Sequence, residues 1–173
     1  MSSAVASADQ AAANQAAADQ DAADQPVSAT QAATLHFQEK TGLEWPIVGN
    51  VLINYSMDKP VYFATLEQYK YNPAIVIQAT EGAKIQAAAD GQVTEVGSSS
   101  ALGNYVCCDL GDGYELTYGQ LKQIDVKKGA YLHAGDVIGQ VAAPSKYYST
   151  EGTNAYFAMT KDGEPVNPLT LLP

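Results

Sequence analysis

The 173-residue chain is 46% hydrophobic, enough for one sizeable core, and carries a formal charge of -10 with no Arg to supplement its Lys residues. Nucleic-acid binding needs a basic face that releases counterions from phosphate, and docking on anionic lipid needs the same sign of charge, so neither partner class is expected. No stretch approaches the ~20 consecutive apolar residues of a membrane-spanning helix, which leaves no direct membrane insertion to expect.

The apolar residues are unevenly spread. Residues 1–34 are almost wholly Ala, Gln, Asp, Ser and Asn, with Ala8-Asp9-Gln10, Ala18-Asp19-Gln20 and Ala23-Asp24-Gln25 repeating one theme. Ala favours helix, but no apolar stripe exists here to dock, and an isolated helix of that kind is marginal in water. The segment reads as a low-complexity spacer, flexible or partly helical, closed by Pro26. The foldable domain is then 35–173, a common single-domain size. A short helix is expected over Ser28–Lys40, with Leu35 and Phe37 reaching toward the domain.

Beyond Glu44 the pattern changes to short strands. Gly49–Tyr55 is the first, with Val51, Ile53 and Tyr55 alternating against Asn50, Leu52 and Asn54. The run from Ser56 to Tyr71 reads as an inserted loop holding four aromatics, Tyr62, Phe63, Tyr69 and Tyr71. It suits either a partner surface or a cover over a neighbouring groove. Ala74–Gln78 is a short, fully apolar strand. Lys84–Ala88, Gln92–Val96, Tyr105–Leu110, Tyr114–Leu121, Asp136–Val141 and Asn154–Thr160 follow, with Gly111-Asp112-Gly113 as a strong hairpin signal. Strands recurring every ~8–12 residues indicate an all-β fold, an antiparallel sandwich or barrel. No amphipathic helix interrupts residues 74–173, which excludes a parallel βαβ sheet. Cys107 and Cys108 are neighbours on a strand and point to opposite faces, so one belongs to the core and one to the surface, with no disulfide framework.

The stretch Val126-Lys127-Lys128-Gly129-Ala130-Tyr131-Leu132-His133-Ala134-Gly135-Asp136-Val137-Ile138-Gly139 is similar to one found in biotinyl or lipoyl carrier domains and in lysostaphin-like peptidases. A carrier is shorter and presents a Lys on a tight hairpin, and Gly111-Asp112-Gly113 has none. The wider frame resembles the lysostaphin-like (LytM-type) zinc endopeptidases over about residues 44–170. Trp45-Pro46-Ile47-Val48-Gly49-Asn50-Val51 resembles their entry strand, and Ala87-Ala88-Ala89-Asp90-Gly91-Gln92-Val93 their Ala-Ala-x-x-Gly-x-Val strand. Thr117-Tyr118-Gly119-Gln120-Leu121 resembles Tyr-x-His-Leu. Tyr156-Phe157 through Gly163-Glu164-Pro165-Val166-Asn167-Pro168 resembles their closing segment.

Such enzymes hold zinc with two His and one Asp and leave one position open for water. The resemblance places the first ligands, His-x-x-x-Asp, on Asn72 and Val76, and the third on Tyr156. It places the catalytic His positions on Gln120 and Asn154. Val cannot ligate, and an amide is a poor donor beside imidazole. The chain holds two His in total, His36 and His133, both read as solvated side chains. The resemblance therefore implies a degenerate member with no metal, no cofactor and no catalytic residue. Asn72, Gln120, Asn154 and Tyr156 would floor the old substrate groove, with Tyr118, Tyr147 and Tyr148 beside it. The expected function is a non-catalytic cell-envelope domain that binds a peptidoglycan stem peptide or acts as a scaffold or activator for another envelope protein, in sporulation for instance. Its expected place is extracytoplasmic, held to the membrane through a segment absent from this chain. The rival expectation is an active zinc endopeptidase with a relocated metal site.

Overall fold

The computed structural model describes residues 35–173. Twelve strands follow one another: β1 (Val51–Ile53), β2 (Ser56–Phe63), β3 (Gln68–Asn72), β4 (Ala74–Gln78), β5 (Lys84–Gln86), β6 (Gly91–Ser99), β7 (Gly103–Gly111), β8 (Tyr114–Lys122), β9 (Tyr131–Leu132), β10 (Val137–Val141), β11 (Asn154–Lys161) and β12 (Glu164–Val166). Ten of them form one antiparallel sheet in the order β1-β4-β11-β8-β7-β6-β9, with β10 paired to β5 and β8 and β12 paired to β11. β2 and β3 make a separate two-stranded ribbon. Among the described residues the helical turns are two short 3₁₀ segments, Lys146–Tyr148 and Pro168–Thr170.

The spacer and residues 28–34 of the expected helix lie outside the described residues. The remainder of that helix is not present: residues 35–38 are irregular and 39–41 form a turn closed by Thr41 N–H to the Gln38 carbonyl at 2.9 Å. The physical reason is tertiary. Phe37 is drawn into the main core, edge-on to Tyr114 at 4.8 Å between ring centroids, and Gly42 at φ 74° turns the chain away at once.

Apart from β2, the long strands form where the sequence pattern predicts them, and their turns follow from local chemistry. Gly111 pairs with Tyr114, leaving a two-residue loop in which Asp112 and Gly113 take φ of 55° and 85°. That twin positive-φ turn matches the right-handed twist of the flanking strands, and Asp-Gly tolerates it at little cost. One core lies on the inner face of the sheet. Ile75 and Ile77 of β4, Val106, Cys108 and Leu110 of β7, Leu116 and Tyr118 of β8, and Phe157 and Met159 of β11 all belong to it. β4 is buried on both faces, because Val76 between the two isoleucines contributes to a second, smaller cluster on the outer side. The continuous apolar run Ala74–Ile77 records that double burial.

A candidate binding face on the outer side of the sheet

Three strands, β4, β11 and β8, lie side by side. Their register sets Val76 opposite Tyr156, and Tyr156 opposite Gly119. These three positions form a row on the face away from the main core. Gly119 fits closely there: a Cβ on it would lie 3.0 Å from Cβ of Tyr156, so a larger residue would have to press the tyrosine aside by a few tenths of an ångström.

The neighbouring polar positions are each occupied by internal bonds. Asn72, at the end of β3, is buried and directs Nδ2 to the carbonyls of Asn54 (3.0 Å) and Ala74 (2.6 Å). Asn154 is fully buried; its Nδ2 donates to the Gly152 carbonyl at 2.7 Å, while Oδ1 meets no donor among the described residues. Gln120 sits at a β-bulge with φ 63°, where β8 takes one residue more than β7 between the Asn104–Leu121 and Val106–Tyr118 pairs. Its Nε2 donates to Ala101 O (3.0 Å) and Ser145 Oγ (3.3 Å), and its Oε1 accepts from Ser145 N–H at 2.9 Å. Gln120 therefore ties the 99–102 loop to the 142–145 loop. Replacing it with Ala should leave the part-buried Ser145 N–H without its acceptor and cost about 1–3 kcal/mol, read as a lower urea midpoint with unchanged slope. A neutral substitution would show that these loops hold without it.

What stands over the row is apolar. Val76 is fully buried and packs with Ile53, Phe63 and Tyr148, with Val61, Leu66, Tyr147 and Tyr156 around them. Phe63 comes from the end of β2, its ring 6.4 Å from that of Tyr148 and 5.4 Å from Lys70 Nζ. The turn beyond Phe63 is fastened to the loop before β11. Thr65 donates through both its backbone N–H and its hydroxyl to the Glu151 carboxylate, and Thr150 N–H donates to Thr65 Oγ1 at 2.7 Å. The segment expected to be a loop is thus a folded-back β ribbon that covers the row. Val61 and Phe63 alternate, as do Tyr69 and Tyr71, but Asp58-Lys59-Pro60 interrupts the pattern.

Tyr118 corrects the expectation. It does not line the groove: it is 2% exposed, its hydroxyl accepts from Ala88 N–H at 2.9 Å, and its ring packs on Phe157 in the main core. Tyr148 does lie by the row, but as a buried element of the cluster rather than an open wall. Tyr147 is partly buried at its rim, with Lys146 Nζ 5.8 Å over its ring. The two histidines stand elsewhere, His36 beside Asp112 (3.3 Å) and His133 beside Asp90 (3.8 Å), all four exposed. Among the described residues, no three His, Cys, Asp or Glu side chains are grouped so as to hold a metal ion.

Burial has one electrostatic consequence. It pushes the Cys108 thiol and the Tyr148 phenol each up to about 12, and raises Tyr118, Tyr156 and Cys107 as well. In each case the folded group holds its proton to higher pH than the unfolded one. Stability is then fully present below the unfolded values and is lost as pH rises from about 9 through 12, where the unfolded chain binds fewer protons. Urea midpoints should fall steadily across that window; a flat profile would mean these groups reach solvent in the native state.

The antiparallel fold that carries the row across β4, β11 and β8 is that of a lysostaphin-type β-sheet domain. The chain belongs to peptidase family M23, whose model matches residues 70–168. Among characterised proteins it is similar to DD-carboxypeptidase/endopeptidase Mpg of Neisseria meningitidis, 27% identical over 106 residues, covering 61% of this chain and 24% of that protein. It is also similar to Stage II sporulation protein Q of Bacillus subtilis, 27% identical over 88 residues, covering 51% of this chain and 31% of that one. The chain thus spans about a quarter of the length of the first of these relatives and under a third of the second. Among solved structures, the catalytic domain of the prophage-encoded M23 protein EnpA from Enterococcus faecalis is 27% identical, with 72% of this chain and 94% of that one covered and a TM-score of 0.57. A chain of the SpoIIQ–SpoIIIAH pore forming complex shares the fold at 22% identity, with 76% and 90% covered and a TM-score of 0.62.

Proposed function

We propose that this chain is a non-catalytic M23 domain of the cell envelope that docks another envelope protein outside the cytoplasmic membrane. The observation that supports the reading is the apolar plug: Phe63, Ile53, Val76 and Tyr148 pack together at the position where the family resemblance sets a metal ligand. The donor set agrees. Val76 offers no lone pair, Asn72 turns its amide hydrogens to carbonyls, and burial keeps the Tyr156 phenol protonated. Zinc, which takes imidazole, thiolate or carboxylate, does not fit these residues, and no hydrolytic step is assigned to them.

Docking is favoured over stem-peptide binding because the polar floor residues are buried, with the amides of Asn72 and Gln120 bonded internally and Asn154 Nδ2 given to the Gly152 carbonyl. The likeness to a chain of the SpoIIQ–SpoIIIAH complex is support of the same kind: a domain of this fold assembles with another protein there. The test is a pair of measurements on the full chain. Metal analysis after incubation with zinc should give well under one ion per chain, and insoluble peptidoglycan should neither be cleaved nor retain the protein. Stoichiometric zinc with chelator-sensitive cleavage would establish the relocated-site enzyme instead. Retention without cleavage, weakened by Tyr156→Ala, would establish the stem-peptide reading.

A further inference from the structure

We infer that residues 146–152 form a flap over the outer row, latched to the ribbon through Glu151 and Thr65, which lifts Tyr148 away from Val76 while the main sheet stays folded. The segment runs between two fixed ends. At one, Ser145 N–H donates to Gln120 Oε1 at 2.9 Å and Ser145 Oγ to the Ala101 carbonyl at 2.8 Å. At the other, the Thr153 carbonyl accepts from Ala79 N–H at 3.1 Å, and β11 begins at the next residue. Between them lie one 3₁₀ turn and a bend closed by Gly152 N–H to the Tyr148 carbonyl at 3.0 Å. Gly152 takes φ 84° with nothing within 4 Å of where a Cβ would stand, so the backbone can swing there without striking a neighbour. Tyr148 is the segment's one buried residue.

The seat of the flap is incomplete. Asn154 gives Nδ2 to the Gly152 carbonyl at 2.7 Å. That bond fixes which way the amide faces, because the opposite orientation would set two oxygens against each other. Oδ1 is therefore left buried without a donor among the described residues. An unpaired buried acceptor weighs against the closed form, and solvent satisfies it once the flap lifts. The fastening is narrow. Thr65 donates its N–H to Glu151 Oε1 at 3.2 Å and its hydroxyl to the same carboxylate, and Thr150 N–H donates to Thr65 Oγ1 at 2.7 Å. One residue thus joins both Thr150 and Glu151 to a ribbon that, among the described residues, pairs with no strand of the main sheet. A segment with one buried side chain, few bonds and an unsatisfied acceptor beneath it belongs at the low end of local stability. With the flap raised, Asn154 and Tyr156 of β11 meet water and the row becomes an open cleft.

The flap is independent of the docking partner proposed above, and its test uses neither zinc nor peptidoglycan. Tetranitromethane nitrates phenols that reach solvent, and initial rates at each tyrosine of the full chain are read by mass spectrometry of its peptides. Tyr148 reports the flap, and Tyr118, buried in the main core, reports global unfolding. In the closed form burial holds both phenols protonated and out of reach. Tyr148 should react at least about tenfold faster than Tyr118, with a rate that stays flat in urea below the unfolding transition, while that of Tyr118 climbs steeply. Thr65→Val and Glu151→Ala should each speed Tyr148 by about tenfold, the worth of a hydrogen bond to a charged group. Ile138→Val, a small loss in the main core, should speed Tyr118 several-fold and leave Tyr148 unmoved, because the raised flap keeps the core contacts. A shared urea slope for the two tyrosines overturns the inference. So does Ile138→Val speeding both alike, or a Tyr148 rate indifferent to both latch substitutions.

Discussion

Val76→Asp should abolish or cripple folding. Val76 is fully buried against Ile53, Phe63 and Tyr148, in an apolar cluster with Lys70 Nζ over the Phe63 ring. A carboxylate at that point loses its hydration among apolar side chains, a situation that costs about 3–5 kcal/mol. In a domain of this size such a loss lowers the melting temperature by roughly 10 °C or more. The diagnostic arm is zinc. The family resemblance makes this position a metal ligand, and a bound cation would neutralise the buried charge. Here the two positions that should supply imidazole are Asn72 and Tyr156, so a new carboxylate finds no companion ligands with which to complete a site. Zinc should leave the Val76→Asp melting curve unmoved. A rise of several degrees on adding zinc, reversed by chelator, would reveal a latent metal centre and undo the non-catalytic reading.

Phe63→Ala should release the ribbon while leaving the sheet intact. Phe63 is 4% exposed and is the ribbon's deepest insertion into the outer cluster. Truncating such a ring typically costs about 3–5 kcal/mol. The ribbon is a separate two-stranded unit fastened otherwise through Thr65, Thr150 and Glu151, so the loss should appear as local opening before global unfolding. Amide exchange over residues 61–71 should accelerate by about a hundredfold to a few thousandfold, since each 1.4 kcal/mol is a factor of ten. Protection in β7, β8 and β11 should change little. Uniform acceleration across all strands would show that ribbon and sheet unfold as one body. No acceleration would show that the Thr65–Glu151 fastening holds the ribbon by itself.

The sequence was most legible where structure is local. The alternation in β7 separates Cys108, buried in the core, from Cys107, half-buried on the other face, and both are free thiols as expected. The Gly111-Asp112-Gly113 signal is the β7–β8 turn. Tyr118 obeys the same rule: Tyr114, Leu116 and Tyr118 keep the inward phase of β8, and nearness to Gln120 in sequence is a poor guide to its face. Gln120 itself lies beyond what alternation can give, because a bulge at φ 63° breaks the phase there.

By itself, the sequence determined the all-β class, the positions of eight of the twelve strands and the absence of imidazole and carboxylate from the positions that the family resemblance marks. Those are matters of period, turn chemistry and residue type, each encoded within a few neighbours along the chain. Tertiary structure alone decided that the Ser56–Tyr71 segment is a ribbon, that Phe63 closes the face over Val76, and that the floor amides turn inward. Each of these depends on contacts between residues far apart in sequence, as between Thr65 and Glu151, and the free energy of such a contact exists only once both partners have been brought together.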